Sequence, residues 1–544
     1  GSTTVICTDK TGTLTMNEMT VRKIYCSKEI IDVEGAGYSP EGSFSSKPAG
    51  IEFLLKAGML CNNAALQAQS AIGDPTEASL IVSAMKFGLK REDIEKEMPR
   101  INEIPFSSER KMMTTLHKHD KSTIAFSKGS PDTILQNCTK ILYKGRIRPI
   151  TRIEKNEIMK VNESFAKDAL RVLAFAFKPV TQKENAEKEM IFIGLQAMID
   201  PPRKEARDSL LKCEQAGIRV VMITGDQLFT AEAIAREIGI AGKAVSGEEL
   251  EKMDDKELLS ISKEVNIYAR VSPEHKLRII NALKKAGNVV AMTGDGINDA
   301  PALKQADIGI AVGSGTDVAK EASDMVLVND NFATIVSAIE EGRTIYDNIR
   351  KFSAFLLSCN LAEVLIVFIA IMIGMPLPFI AIQILWINLV TDSFPALAMG
   401  VDSAGKNIMM KKPRNPKEHI VSRSVAASII TLAIIVTAIC LFAYSRFESQ
   451  TLVFTMLVSL ELLIPFIIRI GYRVYSVNKW LLGACILSFA LQLAIVYTPL
   501  SKIFGTVALG MQDWIVIGIG CAVLLVTGIA AELLIRKSKE RAKA

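Results

Sequence analysis

The chain has 544 residues, more than one hydrophobic core usually organises, so two or three domains are expected, at least one of them an ordinary globular unit. Hydrophobic residues make up 49% and charged residues 22%, a mixture that suits a soluble half joined to a membrane half. The net charge of +6 is small for this length, and the basic excess flanks apolar runs instead of forming one stripe, which excludes a nucleic-acid-binding reading.

Taken in chain order, the first element is the β-branched run at 3–7, which ends at Thr8-Asp9 and reads as a strand entered from something upstream. No signal peptide precedes it, and the chain is expected to be a fragment. Similar runs recur at 219–223, 289–292 and 308–312, and the runs at 219–223 and 289–292 end in Thr-Gly-Asp before a helix-like stretch. Strand, acidic loop and helix in repetition predict a parallel, doubly wound sheet with its site at the strand C-termini. The long stretch from Thr20 onward predicts a domain inserted after the first strand.

From Phe352 onward, apolar stretches at about 352–373, 380–399, 425–444, 452–468, 480–497 and 514–535 each approach the roughly 20 residues needed to cross a bilayer. Lys and Arg concentrate on alternate connections: Lys411, Lys412, Arg414, Lys417 and Arg423, then Arg473 and Lys479, then the tail from Arg536 to Lys543. The soluble half enters the first span on that basic side, so soluble domains and C-terminus are expected to be cytoplasmic. Nine cysteines without CxxC or zinc-type spacing read as buried reduced thiols, and four histidines make no metal cluster.

The chemistry concentrates in Asp9-Lys10-Thr11-Gly12-Thr13-Leu14-Thr15. A carboxylate at a strand end, followed by a turn rich in hydroxyls and backbone donors, can attack a phosphoryl group while those donors hold its oxygens. The loops Thr224-Gly225-Asp226 and Thr293-Gly294-Asp295-Gly296-Ile297-Asn298-Asp299 offer the hard oxygens that suit magnesium. No GxxxxGK[ST] occurs, but Phe106-Ser107-Ser108-Glu109-Arg110-Lys111 sets an aromatic face beside cations, and Lys128 stands before a Gly-Ser-Pro turn, so an adenine could stack while phosphates are neutralised.

The heptad at Asp9 resembles the phosphorylation motif of P-type ATPases, within the wider haloacid dehalogenase-like fold, and the resemblance extends through essentially the whole chain. It implies an α/β Rossmannoid phosphorylation domain at 1–19 and 195–340, an inserted α+β nucleotide-binding domain at 20–194, and an all-α membrane domain of six helices at 341–544. By that match Asp9 forms an aspartyl-phosphate, and Asp9, Asp295 and the Thr11 carbonyl bind Mg²⁺. Lys276 clamps the phosphate, while Thr224, Gly225, Asp226, Asn298 and Asp299 support the site. Related phosphatases carry a second Asp where this chain has Thr11, and loss of that proton shuttle would let the phosphoenzyme persist. ATP contacts map to Phe106 for the adenine, with Glu77, Arg110, Lys111, Lys128 and Arg171; Ser108 stands where muscle-type calcium pumps have an Arg. Asp200-Pro201-Pro202-Arg203 matches the hinge between the two soluble domains, where Asp200 and Arg203 would also position nucleotide.

Within the spans, Asn360 and Glu363 lie three apart on one helix, and Asn388, Thr391 and Asp392 share a face of the next. Intramembrane carboxylates are costly unless they face partners or an ion, and an all-oxygen set fits Ca²⁺ better than zinc or copper. The run from Trp386 to Asp392 is similar to calcium pumps, and Glu461 in the fourth span aligns with a glutamate that some of them add to the same site. The expectation is ATP-driven export of Ca²⁺ from the cytoplasm across a bilayer, in a bacterial cell membrane, with Mn²⁺ as an alternative cargo. The family's actuator domain and first four spans have no counterpart in this sequence. A haloacid dehalogenase-like phosphatase and a non-catalytic membrane scaffold are the readings from other classes.

Overall fold

A computed structural model describes residues 1–35, 37–67, 70–119, 122–180 and 185–541. Its contacts divide the chain into two compact units, Thr4–Glu214 with Ile218–Ile335, and Gly1–Thr3 with Gln215–Gly217 and Val336–Ala544.

In the first unit, Val5–Asp9 is the central strand of a seven-stranded sheet ordered Lys243–Ser246, Val265–Ala269, Arg219–Thr224, Val5–Asp9, Val290–Gly294, Ile308–Ala311, Met325–Val326. Every pairing is parallel. Val5, Cys7, Val221, Ile223, Val290 and Met292 are buried on one face and Ile6, Met222 and Ala291 on the other, as the near-continuous apolar runs of a parallel sheet covered on both faces require. The chain fills one side of the Asp9 strand with Arg219–Thr224 and its neighbours, then crosses to the other side with Val290–Gly294. Asp9 therefore stands at the C-terminal end of the strand where the winding reverses, the position at which open α/β sheets bind ligands.

Between Asp9 and that return lies a nine-stranded, mainly antiparallel sheet. Its long strand Met190–Ile199 sends Ile191 and Ile193 to one face, against Leu54, Leu55, Leu80 and Phe175, and Phe192 and Leu195 to the other, against Ile134, Ile158 and Phe165. The strand stays paired to Thr20 and its neighbours as far as Ile199. The boundary expected at 194/195 thus falls inside a strand; the chain leaves the sheet at Asp200-Pro201-Pro202, where two residues without N–H cannot continue a ladder.

Among the described residues, six helices are long and apolar enough to cross a membrane: Phe332–Met372, Ala381–Gly400, Arg423–Phe447, Gln450–Gly471, Lys479–Tyr497 and Met511–Ser538. Five of the helices overrun the expected span at one or both ends because polar flanking residues extend the helix without extending the apolar run. The first is a single helix of 41 residues, unbroken across the expected boundary at 340/341. Lys543 of the expected basic tail lies outside the described residues. Two spans are irregular. At Ile387–Thr391 the second opens into a wider turn in which the Asp392 N–H reaches the Ile387 carbonyl at 3.0 Å, and Pro395 has no N–H for the Thr391 carbonyl. The fourth breaks between Glu461 and Ile464, just ahead of Pro465, which leaves the Glu461 carbonyl without its usual donor.

Candidate functional site

Asp9 is fixed from both neighbouring strands. Its N–H donates to Thr293 Oγ1 at 3.1 Å, and that hydroxyl donates in turn to Thr8 Oγ1 at 3.3 Å. Lys276 reaches it from the helix Pro273–Lys285, whose start is set by Pro273 in the first turn and a capping box between Ser272 and His275. The Lys276 ammonium donates to Asp9 Oδ2 at 3.0 Å and to Asp299 Oδ1 at 2.6 Å. The second Asp299 oxygen accepts the N–H groups of Asp295 (3.2 Å) and Gly296 (3.3 Å), which locks the Asp295 loop. Carboxylate oxygens of Asp9, Asp295 and Asp299 lie within 4.8 Å of one another. Burial, then the charges of Asp9 and Asp299, push the Asp295 carboxyl above its ordinary value. Burial alone would lower Lys276, but Asp9 and Asp299 outweigh it and hold the ammonium above the usual lysine value.

The loop after Asp9 turns on Gly12, at φ 77° with open space where a side chain would stand. Arg203 clamps that turn through the Gly12 carbonyl at 2.8 and 3.2 Å. Asp200 is buried and accepts from Thr15 Oγ1 (2.5 Å) and the Glu18 N–H (3.2 Å), so it faces the loop from within; burial pushes its carboxyl up. Lys10, also buried, pairs with Asp226 at 2.5 Å and lies 3.9 Å from Asp200, joining the Thr224-Gly225-Asp226 turn to the phosphoacceptor loop. Thr224 Oγ1 caps the Asp226 N–H at 3.2 Å. Sequence reading passed over Lys10, although its place beside Asp9 was a usable signal. Asn298 is exposed on the turn after Asp295. A cavity of about 370 Å³ opens here, lined by Thr11, Gly12, Arg203 and Asp295 and, from turns of the inserted segment, by Tyr38 and Gly73.

In the inserted sheet, Glu77 and Lys128 pair at 2.6 Å, and Arg171 donates to Thr76 Oγ1 beside them at 3.0 Å. The Lys111 carbonyl accepts the Ser130 N–H at 3.0 Å, so the turn after Phe106 adjoins the turn after Lys128. Phe106 itself is 62% exposed, an aromatic of that size left open on a strand. Arg110 is taken up by Glu187 at 2.5 Å and by the Pro105 carbonyl.

In the membrane unit, Glu363, Asp392 and Glu461 are buried on three different spans. Asn388 Nδ2 donates to Glu363 Oε2 at 2.8 Å, and Thr391 donates to its own helix at the Ile387 carbonyl. Glu363 Oε1 and both carboxylate oxygens of Asp392 and Glu461 find no hydrogen-bond partner among the described residues. Buried carboxylate oxygens left in this way are strongly unfavourable unless a cation or proton meets them. Asn360 is not brought to this cluster: it is exposed and its amide bonds back to the Leu356 carbonyl at 2.8 Å. The inward face carries Cys359 instead, four residues before Glu363, with its sulfur within 4.8 Å of carboxylate oxygens of Asp392 and Glu461.

Family comparisons cover both units. A model of the P-type ATPase cytoplasmic domain N matches residues 50–205, and one of the cation transporting ATPase C-terminus matches 376–534. Two models of haloacid dehalogenase-like hydrolases match 130–304 and 275–339. The chain carries P-type ATPase domains. Among curated P-type ATPases it is similar to "Calcium-transporting ATPase 1" of Bacillus cereus, 42% identical over 551 residues that cover 94% of this chain and 61% of the relative. It is 41% identical to the "Calcium-transporting ATPase" of Bacillus subtilis over 99% of this chain and 64% of the relative. It is 37% identical to the human "Calcium-transporting ATPase type 2C member 1" over 99% of this chain and 61% of the relative. The chain thus spans a little over three-fifths of the length of these P-type relatives, and its six apolar helices make it a multi-pass integral membrane protein.

Proposed function

We propose that this chain is the phosphorylation, nucleotide-binding and ion-binding part of an ATP-driven pump that exports Ca²⁺ from the cytoplasm through an aspartyl-phosphate intermediate. The observation that carries the reading is the set of buried, partnerless oxygens of Glu363, Asp392 and Glu461, in a chain that also holds Asp9 against Lys276. A soluble phosphatase has no use for the first, and a scaffold has none for the second.

In the proposed reaction an Asp9 carboxylate oxygen attacks the γ-phosphorus of ATP, a P–O bond to Asp9 forms, and the bond to the β-phosphate oxygen breaks as ADP leaves. Lys276 neutralises the transferred phosphoryl oxygens, and Asp299 holds Lys276 in place. Thr224 and Gly225 supply donors to the same oxygens, with Asp226 anchored by Lys10. Thr11 leaves the loop without a second carboxylate to take a proton from an attacking water. Three carboxylates facing one ammonium leave an excess of negative charge that a hard divalent cation fits. Asp9, Asp295 and the Thr11 carbonyl would hold Mg²⁺, which when bound neutralises phosphate charge and orients its oxygens. Phe106 stacks on adenine, with Glu77, Lys111, Lys128, Arg171 and, after release from Glu187, Arg110 around the nucleotide. Arg203 and Asp200 act through the loop they brace.

In the membrane, Glu363, Asn388, Thr391, Asp392 and Glu461 form the Ca²⁺ site. The basic connections favour soluble domains and C-terminus on the cytoplasmic side, and the similarity to bacterial calcium-transporting ATPases supports a bacterial cell membrane. The test is Ca²⁺ binding by the purified chain in detergent. Wild type binds and competes with Mn²⁺ but not Na⁺ or K⁺, and Asp392→Asn and Glu461→Gln each weaken binding by about tenfold or more. Equal binding by all three proteins would refute the site.

A further inference from the structure

We infer that Cys359 turns this carboxylate cluster into a site for thiophilic divalent cations, of which Cd²⁺ is the probe, with the sulfur as a direct ligand. The inference rests on the reading of Glu363, Asp392 and Glu461 as a cation site. Its observation is separate: the sulfur of Cys359 and one oxygen each of Asp392 and Glu461 lie within 4.8 Å of one another, on three different spans. Cys359 is fully buried, and so are the two carboxylates, whose four oxygens have no partner among the described residues.

Three points favour a ligand over a packing role. Cys359 lies in the buried apolar cluster of the bundle, yet its sulfur also comes within 4.8 Å of oxygens of Asp392 and Glu461, two carboxylates that a space-filling apolar residue would leave unsatisfied. The three groups belong to the spans Phe332–Met372, Ala381–Gly400 and Gln450–Gly471, so they converge by folding and not by sequence proximity. Finally, the donor set is mixed. Hard oxygens serve Ca²⁺ and are indifferent to the thiol, whereas thiolate sulfur selects soft or borderline cations. On binding, the S–H bond of Cys359 breaks, its proton leaves to water, and a sulfur–cadmium bond forms without any change of oxidation state.

The experiment uses the purified chain in detergent, titrated with Cd²⁺ and Ca²⁺ by equilibrium dialysis and by the ultraviolet sulfur-to-cadmium charge-transfer band. Cd²⁺ is expected to displace Ca²⁺ from wild type with appearance of the band. In Cys359→Ser the band is lost and the Cd²⁺-over-Ca²⁺ preference falls by about tenfold or more. Cys359→Ala gives the same result without a buried hydroxyl, and circular dichroism and thermal unfolding report that both variants fold. An unchanged preference and an intact band in either folded variant overturn the inference. The carboxylate variants separate it from the reading beneath it. If Asp392→Asn and Glu461→Gln abolish Ca²⁺ binding while Cys359→Ser keeps the band, the cation site stands and the thiol ligand falls. If the carboxylate variants leave Ca²⁺ binding untouched, the cation site itself falls.

Discussion

At Asp9 the charges are unbalanced: carboxylates of Asp9, Asp295 and Asp299 converge, and Lys276 bonds to two of them. Lys276→Ala removes the donor that meets transferred phosphoryl oxygens, so aspartyl-phosphate formation should slow by roughly 10²–10³-fold in a rapid-quench assay with labelled ATP. The pH dependence has a definite sign. The Asp295 carboxyl is raised in the folded protein, whereas the unfolded chain ionises near the ordinary value of about 3.9. Between those two values the folded state holds the extra proton. Without Mg²⁺, stability should therefore fall as pH rises through that window, and Mg²⁺ should cancel the loss, as denaturant unfolding at stepped pH will measure. Lys276, raised by its partners, is charged throughout that range and contributes no slope there. Asp9, Asp295 and Asp299 were legible in the sequence because they stand at a strand end or in the short loop after one, and Lys276 because it opens a helix between the two acidic loops. Cys359 was not, because the face a helical residue presents depends on what packs against it, and the pairing of Asn360 with Glu363 at a spacing of three chose the wrong side.

Among the elements, the six spans could be read from composition, since an apolar run of bilayer length has few other uses. The extent of Met190–Ile199 could not, because whether a strand continues depends on its pairing with Thr20–Cys26, far away in sequence. The same holds for Asp402. This buried carboxylate accepts from Lys351 at 2.5 Å, from Arg469 at 3.0 and 3.1 Å, and from Asn478 at 3.2 Å, and so ties the starts and ends of several spans to one loop. Burial would raise its carboxyl, but the hydrogen bonds and charges of Arg469 and Lys351 hold it below the ordinary value. Asp402→Ala leaves two buried cations without their counter-charge and should destabilise the membrane unit by about 3–5 kcal/mol in detergent unfolding. A loss below about 1 kcal/mol would mean that water already screens the group.

For the whole molecule, the Asp9 cluster and the buried carboxylates Glu363, Asp392 and Glu461 fall in different units, and each unit carries its own core. In the proposed nucleotide site, Phe106 lies open and Glu77 and Lys128 pair with one another. Phe106→Ala should lower the affinity for a fluorescent ATP analogue by about tenfold and leave Ca²⁺ binding to the membrane unit unchanged. We propose that the cation at Glu363, Asp392 and Glu461 governs phosphorylation of Asp9. Acid-stable incorporation of label from γ-labelled ATP into the protein, with and without Ca²⁺, tests this. Incorporation should require Ca²⁺ and disappear in Asp9→Asn, Asp392→Asn and Glu461→Gln. Labelling that persists in Asp9→Asn, or that responds to Na⁺ or K⁺ and not to Ca²⁺, would contradict it.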